Sequence, residues 1–256
     1  MKSMKTLLLA VVGLTAIGMA GSALAQCPGD PAVSGGGAWT SKTVSQANLA
    51  ITSPGLATTN CALQVSLNQG SQLFAKAVVT DTSPQDEGRY RARFYINMAE
   101  ITGLTSVLRS VEIFNASATT SPANLSGEEV SINLNGSTGA PTVVFTVADS
   151  TQGSGFRQAA VALPNAAGVN RVEFDLQGGA SGSFRCWVST DVATTDDQNP
   201  TAACTMNAIN TSGWSGVTQA SMGEFSANNS WRSNYTAATH LYLDEFDSRR
   251  QTFIGK

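Results

Sequence analysis

Short segments in which polar and apolar residues alternate recur roughly every dozen residues along most of this chain, a spacing typical of all-β sandwiches. In residues 89–96, Arg89, Arg91 and Arg93 occupy every second position. Because successive side chains of a strand point to opposite faces, the three guanidinium groups share one face and an apolar set, from Tyr90 to Ile96, shares the other. The segment predicts a strand with one buried face.

The same signal predicts strands along the rest of the chain, separated by turn residues such as Asn135-Gly136-Ser137. A weak helical pattern covers 99–108, and the long polar stretch 190–210 interrupts the spacing of the strands. We therefore expect an all-β, two-sheet antiparallel sandwich in one domain, 26–256, with a decorated loop near 190–213. The remaining predicted strands are 62–67, 73–79, 107–115, 130–134, 142–147, 156–163, 169–176, 184–189, 240–246 and 251–254.

The first 25 residues match an export signal. Lys2 and Lys5 precede an apolar run over 7–19, and Ala23-Leu24-Ala25 fits the small-x-small cleavage pattern. We expect cleavage after Ala25 and a secreted or periplasmic protein. A lipid anchor on Cys27 is the alternative, but Gln26 stands where a lipoprotein signal has a small residue.

All four cysteines follow the predicted cleavage site and would therefore meet an oxidising compartment. An even count there predicts two disulfides, with three connectivities open. We favour Cys27–Cys61 and Cys186–Cys204, because each pairing closes a local loop.

Charge and hydropathy exclude several partner classes. Removing Lys2 and Lys5 from the 15 basic residues leaves 13, against 18 acidic residues, and no basic cluster interrupts this balance. We therefore expect no nucleic-acid partner. No later segment approaches the roughly 20 apolar residues of a membrane span. The oligomeric state stays open.

Two segments carry a family resemblance. Residues 241–246, LYLDEF, resemble the last strands of laminin-G-like jelly rolls, which are relatives of concanavalin-A-like lectins and glucanases. The RFY run within 89–96 resembles a core strand of the same families. The resemblance implies a jelly-roll sandwich and a carbohydrate ligand.

The candidate catalytic residues are Glu173 and Asp175, two positions apart in VEFDLQ. Glucanases of the resembling fold carry Glu, Asp and Glu in this spacing, with the outer pair as nucleophile and acid/base. Here Gln177 occupies the last position, and an amide cannot serve as the acid/base. The alternative is an exposed strand face on which Arg171 and Glu173 pair as solvated neighbours, and we favour it.

Two acidic groups could hold calcium. Asp244, Glu245 and Asp247 lie close in sequence, with Asp244 and Asp247 as the candidate ligands; carboxylate oxygens suit this cation, although the spacing matches no dedicated calcium loop. Asp244 could equally pair with Arg249 or Arg250. Asp196 and Asp197 form a second oxygen-rich stretch, for which a solvated turn is favoured.

Three aromatic residues in the loop-rich region after Cys204 could line a sugar site: Trp214, Trp231 and Tyr235. Flat rings stack on sugar C–H groups, but aromatic residues also fill sandwich cores, so core packing is the competing interpretation.

Common enzyme signatures are missing. His240 is the single histidine, and it lacks an accompanying nucleophile elbow, a zinc ligand set or a dinucleotide fingerprint. We therefore expect no cofactor beyond a candidate calcium ion. The sequence favours a secreted, non-catalytic recognition or structural module that binds a glycan or cell-surface polymer. The alternatives are a polysaccharide-degrading glycoside hydrolase or lyase, and an envelope module that binds other proteins.

Overall fold

The structure is a computed structural model that describes residues 27, 39–45, 48–67, 75–101, 110–136, 140–227, 229–233, 235–236 and 238–256. The predicted export signal lies outside the described residues, as does most of the predicted helix 99–108. Within these ranges, no helix has the length and apolar character needed to cross a bilayer.

Regular structure in the described ranges is almost entirely strand. A single helical turn, α1, covers Asn229–Arg232, and a 3₁₀ turn covers Ala202–Cys204. The strands, in chain order, are β1 (Ser41–Ser45), β2 (Asn48–Thr52), β3 (Ala62–Ser66), β4 (Ala75–Asp81), β5 (Arg89–Asn97), β6 (Ser110–Ala118), β7 (Glu128–Asn135), β8 (Thr142–Ala148), β9 (Phe156–Ala162), β10 (Val169–Gln177), β11 (Gly182–Thr190), β12 (Met206–Ile209), β13 (Val217–Ala227) and β14 (His240–Arg249).

These strands form two seven-stranded antiparallel sheets. Sheet I has the order β1-β4-β13-β6-β7-β8-β9, and sheet II has the order β12-β11-β10-β5-β14-β3-β2. The sheets pack face to face as a jelly-roll sandwich, so the predicted fold class is confirmed. Each sheet therefore has one face toward the core and one outer face on which a functional site can be built.

The core follows the alternation read from the sequence. On β5, Tyr90, Phe94 and Ile96 are buried in the core cluster, whereas Arg91 and Arg93 lie on the outer face. Phe114 of sheet I lies with its ring centroid 5.6 Å from that of Phe94 in sheet II. Full burial of each such ring is worth about 1.5–3 kcal/mol, so the packed rings hold the two sheets together.

The structure departs from the predicted strands at both ends and in the decorated loop. The segment 251–254 is not a strand, and its Ile254 N–H binds a side chain rather than a neighbouring strand. The strands β1, β2 and β12 were not predicted, and β12 lies inside the predicted decorated loop. β13, an interior strand of sheet I, was not predicted either. Its sequence VTQASMGEFSA holds small or polar residues on both faces, so it shows no apolar alternation.

Both disulfides of the structure have the favoured connectivity. Cys27–Cys61 spans 34 residues and fixes the early chain beside β3. Cys186–Cys204 spans 18 residues and joins β11 to the 3₁₀ turn within the predicted decorated loop.

Candidate functional site

The two candidate catalytic carboxylates, Glu173 and Asp175, lie on the outer face of sheet II but are buried. The loop residues 190–201 and the segment 250–256 cover this face through contacts with Arg171, Trp187 and Glu173. The prediction of an exposed, solvated strand face is therefore wrong, because chain segments replace water above β10.

Asp175 is the centre of a buried charge cluster. Its carboxylate accepts hydrogen bonds from Arg89 at 2.9 and 3.0 Å and from Arg185 at 2.6 Å, and Arg91 lies 3.0 Å away. Burial alone would raise the pKa of Asp175, but the hydrogen bonds from Arg89 and Arg185 outweigh it and lower the pKa. The ionised carboxylate thus stabilises the arginines of β5 and β11.

Glu173 binds the backbone of the segment 250–256. Its two carboxylate oxygens accept the backbone N–H groups of Ile254 and Gly255, each at 3.0 Å. Burial raises the pKa of Glu173, and these two hydrogen bonds oppose the rise. Arg93 adds a 2.9 Å hydrogen bond to the Gly255 carbonyl. With both oxygens engaged, Glu173 holds a strap of chain rather than facing an open cleft.

The candidate calcium ligands are engaged by the protein. Asp244 is buried and accepts hydrogen bonds from the Leu56 N–H at 2.6 Å and from the Thr59 hydroxyl. Asp247 pairs with Arg249 at 2.8 Å. Among the described residues, no group of three or more His, Cys, Asp or Glu side chains converges as a metal site. Asp244 thus joins β14 to the loop 56–59, whereas Asp247 pairs within β14, and calcium binding stays a prediction.

The three candidate sugar-stacking residues are buried. The Trp214 indole donates a 2.9 Å hydrogen bond to the Ser126 carbonyl. Trp231 and Tyr235 pack with ring centroids 5.1 Å apart, inside the core cluster. Buried rings offer no open face to a sugar, so the structure favours the core-packing interpretation.

His240 belongs to a small polar cluster at the start of β14. Its Nδ1 lies 3.1 Å from a Glu100 carboxylate oxygen, and the Tyr242 hydroxyl donates to the other oxygen at 2.9 Å. Glu100 also accepts the His240 backbone N–H at 2.7 Å. These contacts tie the turn after β5 to β14, which accounts for the cluster structurally.

The outer face of sheet I carries a groove that sequence reasoning missed. Its cavity volume is about 710 Å³, and it crosses the five adjacent strands β1, β4, β13, β6 and β7. Four inter-strand spacings correspond to about 19 Å. The lining residues are Ser41, Thr43, Lys76, Thr80, Thr82, Ser110, Val111, Glu112, Asn115, Ser117, Glu128, Asn133, Gln219, Ser221, Phe225 and Ser226.

Strand alternation builds this lining. On β13, Ala220 and Met222 point into the core, so Gln219 and Ser221 point into the groove. Neighbouring strands repeat the pattern, and hydroxyl and amide groups therefore form most of the lining. In the sequence, Ser, Thr, Asn and Gln residues alternate with core positions along these strands. Because these residue types are also common in turns, the alternation did not identify the groove.

Hydrogen bonds position part of the lining and leave part of it open. The Thr80 and Ser221 hydroxyls lie 2.9 Å apart, and the Asn115 amide donates to Glu112 at 2.8 Å. The Asn115 carbonyl oxygen, in contrast, is buried without a hydrogen-bond partner, although the side chain is only 8% exposed. A buried unpaired acceptor is costly, and this oxygen lies below the surface of the groove rather than on it.

Three charged groups line the groove: Glu112 on β6, Glu128 on β7 and Lys76 on β4. Burial, followed by the charge of Glu128, raises the pKa of Glu112 to about 7, against the opposing effects of Asn115 and Lys76. Burial also raises the pKa of Glu128. The Lys76 ammonium lies 5.6 Å from the centre of the Phe225 ring. The groove is therefore polar, with more acidic than basic groups.

Two polysaccharide lyases are among the solved structures with a similar fold. An endo-β-1,4-glucuronan lyase from the fungus Trichoderma reesei aligns with a TM-score of 0.50 and 16% identity, over 86% of this chain and 93% of that chain. The alginate lyase vAL-1 from a Chlorella virus aligns with a TM-score of 0.51 and 9% identity, over 83% and 93%. No protein-family model and no curated protein sequence matches the chain. At these identities the similarity concerns the fold alone.

Proposed function

We propose that this protein is an exported module that binds a polysaccharide segment in the groove on sheet I. The observation that carries the proposal is the groove itself: an open channel across five strands, lined by hydroxyl, amide and carboxylate groups. Such groups match the alternating donors and acceptors of sugar hydroxyls. The lyase folds and the two disulfides are consistent with an extracellular carbohydrate ligand.

The groove suits binding better than the other faces do. Chain segments cover Glu173 and Asp175 on sheet II, and the candidate stacking aromatics are in the core. Phe225 is the single aromatic ring in the described lining. Binding would therefore depend on many individually weak hydrogen bonds rather than on ring stacking. This predicts a modest affinity that increases with the length of the oligosaccharide.

A glycan array followed by calorimetry tests this proposal. The double variant N133A/Q219A removes two amide side chains from the groove, and Gln198→Ala removes an exposed amide from the loop over sheet II as the matched control. We expect the double variant to lose at least fivefold in affinity and the control to bind like the parent protein. Absence of binding across the array would refute the proposal and favour a protein-binding module.

Cleavage of the bound glycan is a second candidate function, favoured by one observation. Glu112 has a pKa of about 7 and lies in the groove with Glu128, and a carboxyl group that is still protonated near neutral pH can act as a general acid. Incubation with a neutral glycan that binds should then release new reducing ends by hydrolysis, whereas unsaturated sugars would form only from a uronate glycan. Glu112→Gln should abolish the release while binding persists.

A further inference from the structure

We infer that the groove on sheet I selects neutral glycans and discriminates against polyuronates. The inference rests on the proposed glycan-binding function and specifies the chemical class of the ligand. The inferred ligand class differs from that of the two lyases of similar fold, a glucuronan lyase and an alginate lyase.

The first argument is the charge balance of the lining. Two carboxylates, Glu112 and Glu128, face the groove against one ammonium group, Lys76. Lys42 on β1 lies between the groove-lining residues Ser41 and Thr43, so strand alternation points it to the opposite face. A polyuronate carries a carboxylate on every sugar, and bringing that charge beside two glutamates in a partly desolvated groove is unfavourable.

The second argument is the location of the arginines. Arg89, Arg91, Arg93 and Arg185 lie on sheet II, where they bind Asp175, Asp197 and carbonyl groups. Arginine is the residue type best suited to bidentate carboxylate recognition, and none occurs in the described lining of the groove. A uronate would therefore meet no guanidinium partner there.

Oligosaccharide pairs that share a linkage and differ only in this substituent test the inference. One pair is β-1,4-glucan and β-1,4-glucuronan, and a second is β-1,4-mannan and β-1,4-mannuronan. Each is titrated into the full protein at low ionic strength and pH 8.5. In whichever pair binds, we expect the neutral oligosaccharide to bind at least tenfold more tightly than the acidic one.

Charge variants then locate the origin of the discrimination. E112Q/E128Q should reduce the ratio of neutral to acidic affinity at least fivefold, because the acidic oligosaccharide binds better. Lys76→Gln should increase this ratio. The control Asp196→Asn, on the loop over sheet II, should leave it unchanged. Thermal unfolding confirms that each variant is folded.

The outcomes separate the two proposals. Tighter binding of a glucuronan or mannuronan by the parent protein would overturn the neutral-glycan inference while supporting the groove as a glycan site. Equal discrimination by E112Q/E128Q and the parent would also overturn it. Failure of the parent protein to bind any glycan would refute the proposed function, and this inference with it.

Discussion

Glu224 on β13 makes the stability of this protein depend on pH. Its side chain is fully buried on the core face, where the Trp231 indole donates a 3.1 Å hydrogen bond to one carboxylate oxygen. Burial raises the pKa of Glu224 from 4.5 to about 8, although the charge of Arg232 opposes the rise. The folded protein therefore keeps a proton on Glu224 at pH values where the unfolded chain has released it.

The sign and size of the effect follow from this difference. Between pH 4.5 and 8 the folded state binds more protons than the unfolded state, so the free energy of unfolding falls as pH rises. One proton corresponds to about 1.4 kcal/mol per pH unit, which gives a loss of about 5 kcal/mol across the window. Below pH 4.5 and above pH 8, Glu224 adds no further slope.

Glu224→Gln should remove this dependence. The amide keeps an acceptor for Trp231 but cannot ionise, so the variant should be more stable than the parent at pH 8.5 and should show a flatter profile from pH 5 to 8.5. Urea unfolding with intact disulfides, followed by tryptophan fluorescence, measures both profiles. Asp191→Asn, in the turn after β11, is the control. If Glu224→Gln retained the parent slope, the assignment of the slope to this carboxyl group would be refuted.

Three further predictions concern the face of sheet II and the second disulfide. Asp175→Asn leaves three arginines around a neutral group, so it should lower the free energy of unfolding, measured with urea, by about 3–5 kcal/mol. A loss below about 1 kcal/mol would contradict the stabilising role of the charge cluster. Glu173→Gln should cost about 1–3 kcal/mol and speed hydrogen exchange at the Ile254 and Gly255 amides, while β5 amides stay protected. C186S/C204S removes the disulfide between positions 18 residues apart, so it should lower the free energy of unfolding in guanidinium by about 3 kcal/mol. A loss no larger than that of a surface substitution would contradict this prediction.

The sequence predicted the fold better than the site. Alternation at 89–96 and 169–176 identified the central strands of sheet II, because those strands have one strongly apolar face. β13 has small and polar residues on both faces, so local sequence could not place it in the interior of sheet I. The groove depends on β13 and on the pairing order of five strands. Such pairing is non-local, and no single segment encodes it.

Glu173 and Asp175 show a second limit of local reasoning. Their spacing indicated a shared outer face, which is what the structure has. The segments that cover this face come from 190–201 and 250–256, up to about 80 residues away along the chain. Composition cannot tell whether a polar strand face meets water or another part of the chain, so a solvated face was expected where a buried charge cluster forms.

The strap at 250–256 also determines how the protein can be attached to a surface. Its backbone is anchored at Ile254 and Gly255 to Glu173 on sheet II, and the following Lys256 is exposed. A linker joined after Lys256 would leave from the side of the sandwich opposite the groove on sheet I. Immobilisation through that linker on a biosensor chip or bead would orient the groove outward, toward polymer in solution.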